Sequence, residues 1–354
     1  YGGPFDNKWT EENKTASRLN PEIAKKLNVG IDLGFLNDRL AFTFDYYQNK
    51  FSDVVATSEI KTAILGNVYP RSNCEKYSYT GTEMVLTWQD RIRNFNYFIN
   101  GNLSFEQSKF EYSPQLPKAY PWMSRLGDPV GMTYGYVADG IFQNQTEVNR
   151  HTNNKGQFLQ PNAQVGDIRF KDINGDGQLN ADDRTKIGSP WADMTMGLNL
   201  NLGYKNFDLV ANFYASIGND LVNQNIQELY NAAGSGGKVN KVSGLLDMAW
   251  HGEGTSNWVP RVIDGDNNNY QVSNFFVEDG SYMRLKVLQI GYSLPGQMLQ
   301  RVGVKGLRFF VQGENLFTIT NYSGYDPEVG TRDGFDGGTY PQARTYTIGA
   351  NITF

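Results

Sequence analysis

The feature that most constrains the fold is a strict alternation of apolar and polar residues, which recurs in nine segments. A period of two is typical of a β-strand whose two faces meet different surroundings. The final segment, TYTIGANITF, has an apolar face formed by Tyr346, Ile348, Ala350, Ile352 and Phe354. The nine segments are residues 28–36, 39–47, 81–88, 94–106, 194–204, 207–216, 282–292, 307–319 and 345–354. The sequence therefore predicts an all-β protein.

One segment carries a local irregularity. Residues 282–292 are apolar at Met283, Leu285 and Val287, and the apolar positions then change phase at Leu288. An extra residue in one strand of an antiparallel pair shifts the alternation in this way. We therefore expect a β-bulge within this segment.

The connections between the segments favour a membrane barrel over a soluble β domain. Long connections at 48–80, 107–193, 217–281 and 320–344 alternate with shorter ones at 37–38, 89–93, 205–206 and 293–306. Bacterial outer-membrane barrels have short periplasmic turns and long extracellular loops, whereas long loops are uncommon in compact soluble domains. No run of about 18 apolar residues occurs, so the sequence contains no transmembrane helix. The pattern predicts a transmembrane antiparallel β-barrel in the bacterial outer membrane, in contact with lipid and lipopolysaccharide.

The number of segments indicates an incomplete barrel. Nine is odd, so the first and last strands would run parallel, whereas bacterial single-chain barrels have even strand numbers. An open sheet edge is not tolerated in hydrocarbon, because its backbone groups would lack hydrogen-bond partners. We therefore expect further strands of the same gene product ahead of Tyr1.

Several stretches resemble one family. They are NPEIAKKLNVGIDLGFLNDRLAFTFDYYQNKFSDVV (20–55), GDIRFKDINGDGQLNADDRTKIGSPWADMTMGLNLNLGYKNFDLVANFYASIGND (166–220), SYMRLKVLQIGYSLP (281–295) and GENLFTITNYSGYDPEVG (313–330). Together they resemble the SusC-like TonB-dependent transporters, the RagA/SusC family of Bacteroidetes. In residues 73–88, the usual N-x-G-x-E strand is matched only loosely, by Gly81 and Glu83.

The resemblance implies a fold and an activity. The chain would be the C-terminal part, about nine or ten strands, of a 22-stranded barrel that imports glycans or peptides. An N-terminal plug and a TonB-contacting segment would precede it, and a SusD-like lipoprotein would close the extracellular mouth. An outer-membrane adhesin or passive pore remains an alternative. So does a secreted calcium-binding β protein that binds or cleaves glycans.

The segment DINGDGQLNADD (172–183) has the spacing of a calcium-binding loop. Oxygen donors lie at positions 1, 3 and 5, a glycine at 6, a backbone carbonyl at 7 and a carboxylate at 12. Calcium binds six to eight oxygens, and such alternating donors around a glycine turn supply them. The predicted ligands are Asp172, Asn174, Asp176, Gln178 and Asp183. The alternative is an Asx-rich turn closed by its own backbone contacts.

The remaining candidates concern substrate binding. Four loop aromatics can stack on sugar rings, although packing within the loops is the more common role of any one such residue: Trp191, Trp258, Tyr322 and Tyr325. Aromatics near strand ends, including Tyr204, Phe207, Tyr214 and Tyr292, are expected to form an interfacial girdle.

Other function classes find no support. The net charge of −5 argues against a nucleic-acid partner. His151 and His251 lack zinc-binding spacing. The sequence predicts neither an enzyme nor an organic cofactor.

Overall fold

The computed structural model describes residues 19–57, 71–115, 118, 120–232, 240–263, 269–299, 303–329 and 334–354. Its strands are β1 (Ile23–Phe35), β2 (Leu40–Ala56), β3 (Ser72–Ile92), β4 (Phe95–Tyr112), β5 (Thr133–Gly135), β6 (Ala138–Ile141), β7 (Ile168–Phe170), β8 (Thr185–Gly188), β9 (Met194–Tyr204), β10 (Phe207–Ile217), β11 (Asp220–Asn223), β12 (Val277–Asp279), β13 (Tyr282–Ser293), β14 (Gly306–Thr320), β15 (Phe335–Asp336) and β16 (Thr345–Thr353).

The helices are short. They are α1 (Gln145–Arg150), α2 (Gln224–Leu229), α3 (Leu245–Met248) and α4 (Gly296–Leu299). Single 3-10 turns occur at Pro121–Met123, Ala181–Asp183, Asn274–Phe276 and Pro327–Val329. Within the described ranges, no helix combines the length and the apolar character needed to cross a bilayer.

The nine predicted segments are the nine strands of one large sheet. Its strands follow the order β1-β2-β3-β4-β9-β10-β13-β14-β16, so β1 and β16 are its edges. Every pairing from β4 to β16 is antiparallel. The prediction of a large antiparallel sheet is therefore confirmed. The expectation about strands ahead of Tyr1 lies outside the described residues.

Two predicted loops are shorter than expected. Strand β2 continues to Ala56 and β3 already begins at Ser72, while β4 continues to Tyr112. The loop predicted at 48–80 thus reduces to residues 57–71, of which 58–70 lie outside the description. The loops predicted at 107–193, 217–281 and 320–344 contain the remaining short strands and helices. The alternation weakens in the added strand segments, which is why the sequence did not place them.

The chain forms two compact units. The described residues of the first unit come from the ranges 1–29, 46–81 and 107–130. Its aromatic cluster extends the β2–β3 hairpin: the Phe51 ring lies 5.2 Å from the Tyr77 ring and 5.9 Å from the Tyr79 ring. Hydrogen bonds from Ser78 to Glu111 and from Ser113 to Glu75 connect β3 to β4 and its end.

The second unit takes residues 30–45, 82–106 and 131–354. One face of its part of the large sheet is apolar and exposed. The register aligns Leu209 with Ile290, Ile290 with Val311, and Val311 with Ile348 across four strands. Ile290, Val311 and Ile348 are 51%, 55% and 84% exposed. Large exposed apolar surfaces of this kind mark a membrane or protein interface.

An aromatic row borders this apolar face at the end with the short turns. Tyr204 pairs with Phe207 across the two-residue turn, and Phe207 in turn pairs with Tyr292. The row continues to Phe95 on one side and to Phe309 on the other. The Phe207 and Tyr292 rings lie 4.7 Å apart. Three predicted girdle residues therefore lie together. Tyr214 instead pairs with Arg284 and lies near the Lys286 ammonium, on the polar face.

The opposite face carries a polar ladder. Asn199 donates to Asn100 at 3.3 Å, and Asn100 donates to Thr87 at 2.8 Å. Arg308 forms an ion pair with Asp208 and also donates to Gln289. Polar side chains stacked in this way satisfy one another and leave an asparagine-rich and glutamine-rich surface.

The predicted bulge is present. Against β10, the register passes from Asn212–Val287 to Phe213–Leu285, so that Lys286 is the extra residue. Against β14, the register shifts at the same place, but the extra residue lies on β14, between Glu314 and Phe317. Lys286 lies two residues before the phase change at Leu288. The bulge lets Leu285 and Leu288 share the apolar face despite their odd spacing.

The buried apolar cluster of the second unit lies among the loops that connect the long strands. Its members come from three of the short strands and their surroundings: Tyr136, Ile141, Ile168, Phe170, Val222 and Phe276. Short sheets β12-β11-β15, β5-β8 and β6-β7 surround it. We call the described parts of residues 131–193, 218–281 and 321–344 the loop assembly.

Candidate functional site

The loop assembly contains all the predicted site residues. Its first feature is the loop at 172–183, which connects β7 to β8. Gly175 and Gly177 adopt positive φ angles of 72° and 83°, a region that side chains with a Cβ disfavour. These two glycines let the chain turn tightly around the Asp172 carboxylate.

The side-chain oxygens of this loop bind its own backbone. Asp172 accepts hydrogen bonds from the Gly175 amide at 2.7 Å and the Gly177 amide at 2.8 Å. Asn174 accepts from the Asp176 amide, and Asp176 accepts from the Gln178 amide, both at 2.8 Å. These are successive Asx turns.

Asp183 closes the loop from the other end. Its carboxylate is fully buried and accepts from the Ile173 and Asn180 amides, each at 2.8 Å. With Asn180 it forms a capping box on the 3-10 turn at Ala181–Asp183. Position 12 of the predicted calcium loop thus lies against its start.

The donor set suits calcium chemically. Each carboxylate oxygen of Asp172 accepts one amide hydrogen and keeps a second lone pair. Nevertheless, the described residues contain no group of three or more His, Cys, Asp or Glu side chains around one metal position. The geometry is that of the alternative stated from the sequence, the Asx-rich turn, and calcium binding stays a prediction.

A cleft lies beside this loop. It has a volume of about 830 Å³ and is formed by residues 152–161 and 172–179. Amide side chains line it, including Asn153, which donates to the Gly177 carbonyl at 3.0 Å. The Phe158 ring at its border is about half exposed. The volume lies within the usual range of ligand sites.

The four predicted substrate aromatics do not come together as one surface. Tyr322 is only 6% exposed, and its hydroxyl donates to Asp336 at 2.7 Å. Burial, together with that hydrogen bond, raises the pKa of the Tyr322 hydroxyl. The ring of Tyr322 therefore packs inside the loop assembly, where it offers no face to a sugar.

The other three aromatics differ in exposure. Trp258 is 48% exposed, with its ring 5.2 Å from the Tyr230 ring, and Tyr325 is 57% exposed. Trp191 is half-buried. Trp258 and Tyr325 thus keep surface that a ligand can contact.

A buried polar cluster connects distant segments of the loop assembly through hydrogen bonds. Asp167 is almost fully buried and accepts from Arg261 at 2.7 Å and from Asn269 at 3.0 Å. Asn269 in turn accepts from the Ile168 amide at 2.8 Å. The sequence did not indicate these residues, because they lie about a hundred positions apart and form no local motif.

A second polar cluster anchors residues 321–344 to the polar face of β13. Arg284 is buried and donates to Asp326 at 2.6 Å, and both Arg284 and Lys286 bind Glu328. Burial alone would raise the pKa of Asp326, but Arg284 and the Gln342 and Glu328 amides lower it. The sequence gives no signal for this cluster, because it does not show which of its charged residues become buried.

His151 lies at the end of α1, within the loop assembly. Burial, followed by the nearby Arg169 charge, lowers the pKa of His151. Its Nε2 atom is buried and has no hydrogen-bond partner among the described residues. The neutral imidazole is therefore the form that this position favours.

The chain matches the family model for the TonB-dependent receptor-like β-barrel over residues 6–219. Among curated proteins, it is 31% identical to TonB-dependent receptor P3 of Formosa agariphila, over 94% of this chain and 34% of that protein. It is 24% identical to TonB-dependent receptor SusC of Bacteroides thetaiotaomicron, over 92% of this chain and 31% of that protein. The chain thus spans about a third of the length of these relatives.

Solved structures agree with the fold. The structure of the RagAB peptide transporter matches with a TM-score of 0.74 at 23% identity, over 94% of this chain and 35% of that chain. The RagAB peptide importer in its closed-closed state matches with a TM-score of 0.73 at 22% identity, over 94% and 35%. These likenesses confirm the predicted fold class, an antiparallel transmembrane β-barrel.

Proposed function

This chain belongs to the family of TonB-dependent receptor-like β-barrels, and from that premise we propose that it forms part of an outer-membrane nutrient importer. The observation that carries the proposal is the two-faced sheet. Its apolar rows are exposed and bordered by aromatics, while its other face is a hydrogen-bonded polar ladder. Contact with lipid explains the exposed apolar face, and contact with a water-filled lumen explains the polar face.

Energy coupling and partners follow from the family and are part of the proposal. TonB would act through an N-terminal region that belongs to the same barrel. A SusD-like lipoprotein would cover the long loops and enclose the substrate. The lumen wall contributed by this chain would then guide the substrate past its polar ladder.

The substrate class is a glycan or a peptide. A peptide is supported by the structural likeness to RagAB, which is a peptide transporter. A glycan is supported by the cleft, where amide side chains and the Phe158 ring offer hydrogen bonds and a stacking face. Trp258 and Tyr325 would add contacts from elsewhere in the loop assembly.

The proposal is tested in the organism that encodes the chain. We expect deletion of the gene to abolish growth on one polysaccharide or protein digest as sole carbon source, with growth on the monomers unchanged. Complementation with Phe158→Ala should weaken growth on a glycan more than the matched variant Phe51→Ala, which lies in an aromatic cluster of the first unit. Unchanged growth on every polymer would overturn the import function.

Biochemical behaviour separates the alternatives. An importer of this family requires detergent for extraction, migrates differently on a gel before and after heating, and copurifies with a lipoprotein. Extraction in buffer alone would instead indicate a secreted β protein. Uptake that persists after loss of TonB would indicate a passive pore.

A further inference from the structure

The short sheet β12-β11-β15 has one apolar face and one polar face. Val222 pairs with Val277 and with Phe335, and all three pack in the buried apolar cluster. On the other face, Asn223 is the register partner of Asp336. Glu278 lies on this face too, because it pairs with Leu221, two residues before Asn223.

Most of this polar face is buried, and Glu278 is half-buried. Asn223 is 1% exposed and Asp336 is 0% exposed. Tyr322 and Ser323 cover it: the Tyr322 hydroxyl donates to Asp336 at 2.7 Å, and the Ser323 hydroxyl donates to Glu278 at 2.8 Å. Two carboxylates thus share one covered face.

Neither carboxylate has a cationic partner in the described part of the chain. Asp336 accepts from the Tyr322 hydroxyl and the Gly338 amide, and Glu278 accepts from Asn223 and Ser323. All of these donors are neutral. Charges taken out of water are costly unless an opposite charge or a metal compensates them.

The Asn223 side chain has one amide atom that is paired within the described residues and one that is not. Asn223 donates through Nδ2 to Glu278 at 2.8 Å and to Ser323 at 3.2 Å, which places its amide head between the two covering groups. The Oδ1 atom of the same amide is buried and has no hydrogen-bond partner among the residues that the structure describes. Exchanging the two amide atoms would set an oxygen against the Glu278 carboxylate, so the orientation is fixed.

We propose that Asp336, Glu278 and the Asn223 Oδ1 atom bind a divalent hard cation of the calcium class. Carboxylate and amide oxygens are the ligands such a cation prefers, and two carboxylates balance its charge. Ser323 is exposed, so the site opens to solvent at one side. The bound cation would join residues 218–281 to residues 321–344. The site is separate from the loop at 172–183 and does not rest on the proposed function.

The test uses the full-length protein, purified in detergent and stripped with a chelator. The background carries Asp172→Asn and Asp176→Asn, so that binding at the 172–183 loop is not counted. Tb³⁺, a calcium mimic excited through tyrosine, and then Ca²⁺ as its competitor are the probes. Tyr322 lies beside Asp336 and serves as the antenna. We expect one equivalent of Tb³⁺ luminescence, displaced by Ca²⁺ but not by the same concentration of Na⁺.

The variants decide between this site and any other. Asp336→Asn and Glu278→Gln should each lose the luminescent binding event. The matched control is Asp279→Asn, because this neighbour of Glu278 is exposed and binds only the Ser281 amide at 2.8 Å among its described contacts. Heat-modifiable migration checks that each variant folds; if Asp336→Asn does not, Glu278→Gln decides.

Two results would overturn the proposal. One is Tb³⁺ binding that is absent in the background protein or equal in the background, Asp336→Asn and Glu278→Gln proteins. The other is an experimental structure in millimolar calcium in which only water contacts the Asn223 Oδ1 atom.

Discussion

The buried cluster around Arg284 makes the sharpest prediction about how the loop assembly is held to the sheet. Replacing Arg284 with methionine keeps most of the volume and removes the charge. Asp326 then loses its cationic partner but keeps its hydrogen bonds from the Glu328 amide at 3.0 Å and the Gln342 amide at 2.9 Å. Glu328 keeps Lys286. The substitution therefore leaves one buried carboxylate, that of Asp326, without a cationic partner.

Removal of one partner from a buried ion pair costs about 3–5 kcal/mol. The two retained amide bonds place Arg284→Met at the lower end, about 3 kcal/mol. This free energy corresponds to about a 100-fold larger open population of residues 321–344. Hydrogen exchange of the Gln342 and Glu328 amides reports that population, because both donate to Asp326. We expect both amides to exchange about 100-fold faster.

Two further variants complete this test. Arg39→Met removes one member of an exposed pair, Arg39–Asp90, and should leave the exchange of the Gln342 amide unchanged. Adding Asp326→Asn to Arg284→Met should recover part of the loss, because it removes the uncompensated charge. Exchange in Arg284→Met within about threefold of the wild-type rate would refute the reasoning, since the buried charge would then need no partner.

Three other predictions concern separate parts of the molecule. A Cβ at Gly349 would lie 2.4 Å from the Phe310 ring, so Gly349→Val should destabilise the β14–β16 pair by about 1–3 kcal/mol, seen as a lower temperature of heat-modifiable migration. Because the pKa of His151 is lowered in the folded state, its contribution is fully present above pH 6.5, the unfolded value, and is lost as the pH falls from there through the lower pKa of the folded state; His151→Phe should flatten this dependence in hydrogen exchange of α1. Calcium should raise the thermal midpoint of the wild-type protein more than that of Asp176→Ala, and equal shifts would remove the prediction for the 172–183 loop.

The large sheet could be predicted from the sequence because its signal is local. In each strand, alternation alone distinguishes a lipid-type face from a polar face, and the phase change at Leu288 located the bulge to within two residues. The aromatic row formed by Tyr204, Phe207 and Tyr292 was predicted for the same reason, since strand ends are visible in the pattern.

The rest depends on contacts between distant residues. The continuation of β2 and β3 rests on rings that meet across the hairpin, Phe51 with Tyr77 and Tyr79. The ion pair between Asp167 and Arg261 joins residues 94 positions apart. Tyr322 is buried against Asp336 and so does not face a ligand, as its position in a loop had suggested. The sequence does not distinguish a tyrosine that packs inside the protein from one that faces a ligand.

The central claim is that the exposed apolar rows of the large sheet contact lipid tails. It is tested by fluorescence quenching on adjacent positions of β13, after replacement of the free Cys74 by serine. Ile290→Cys and Gln289→Cys carry the same fluorophore in vesicles that contain a quencher on the acyl chains. We predict strong quenching at position 290 by the lipid quencher, and at position 289 by an aqueous quencher alone. The reverse pattern, or aqueous quenching at both positions, would contradict the account.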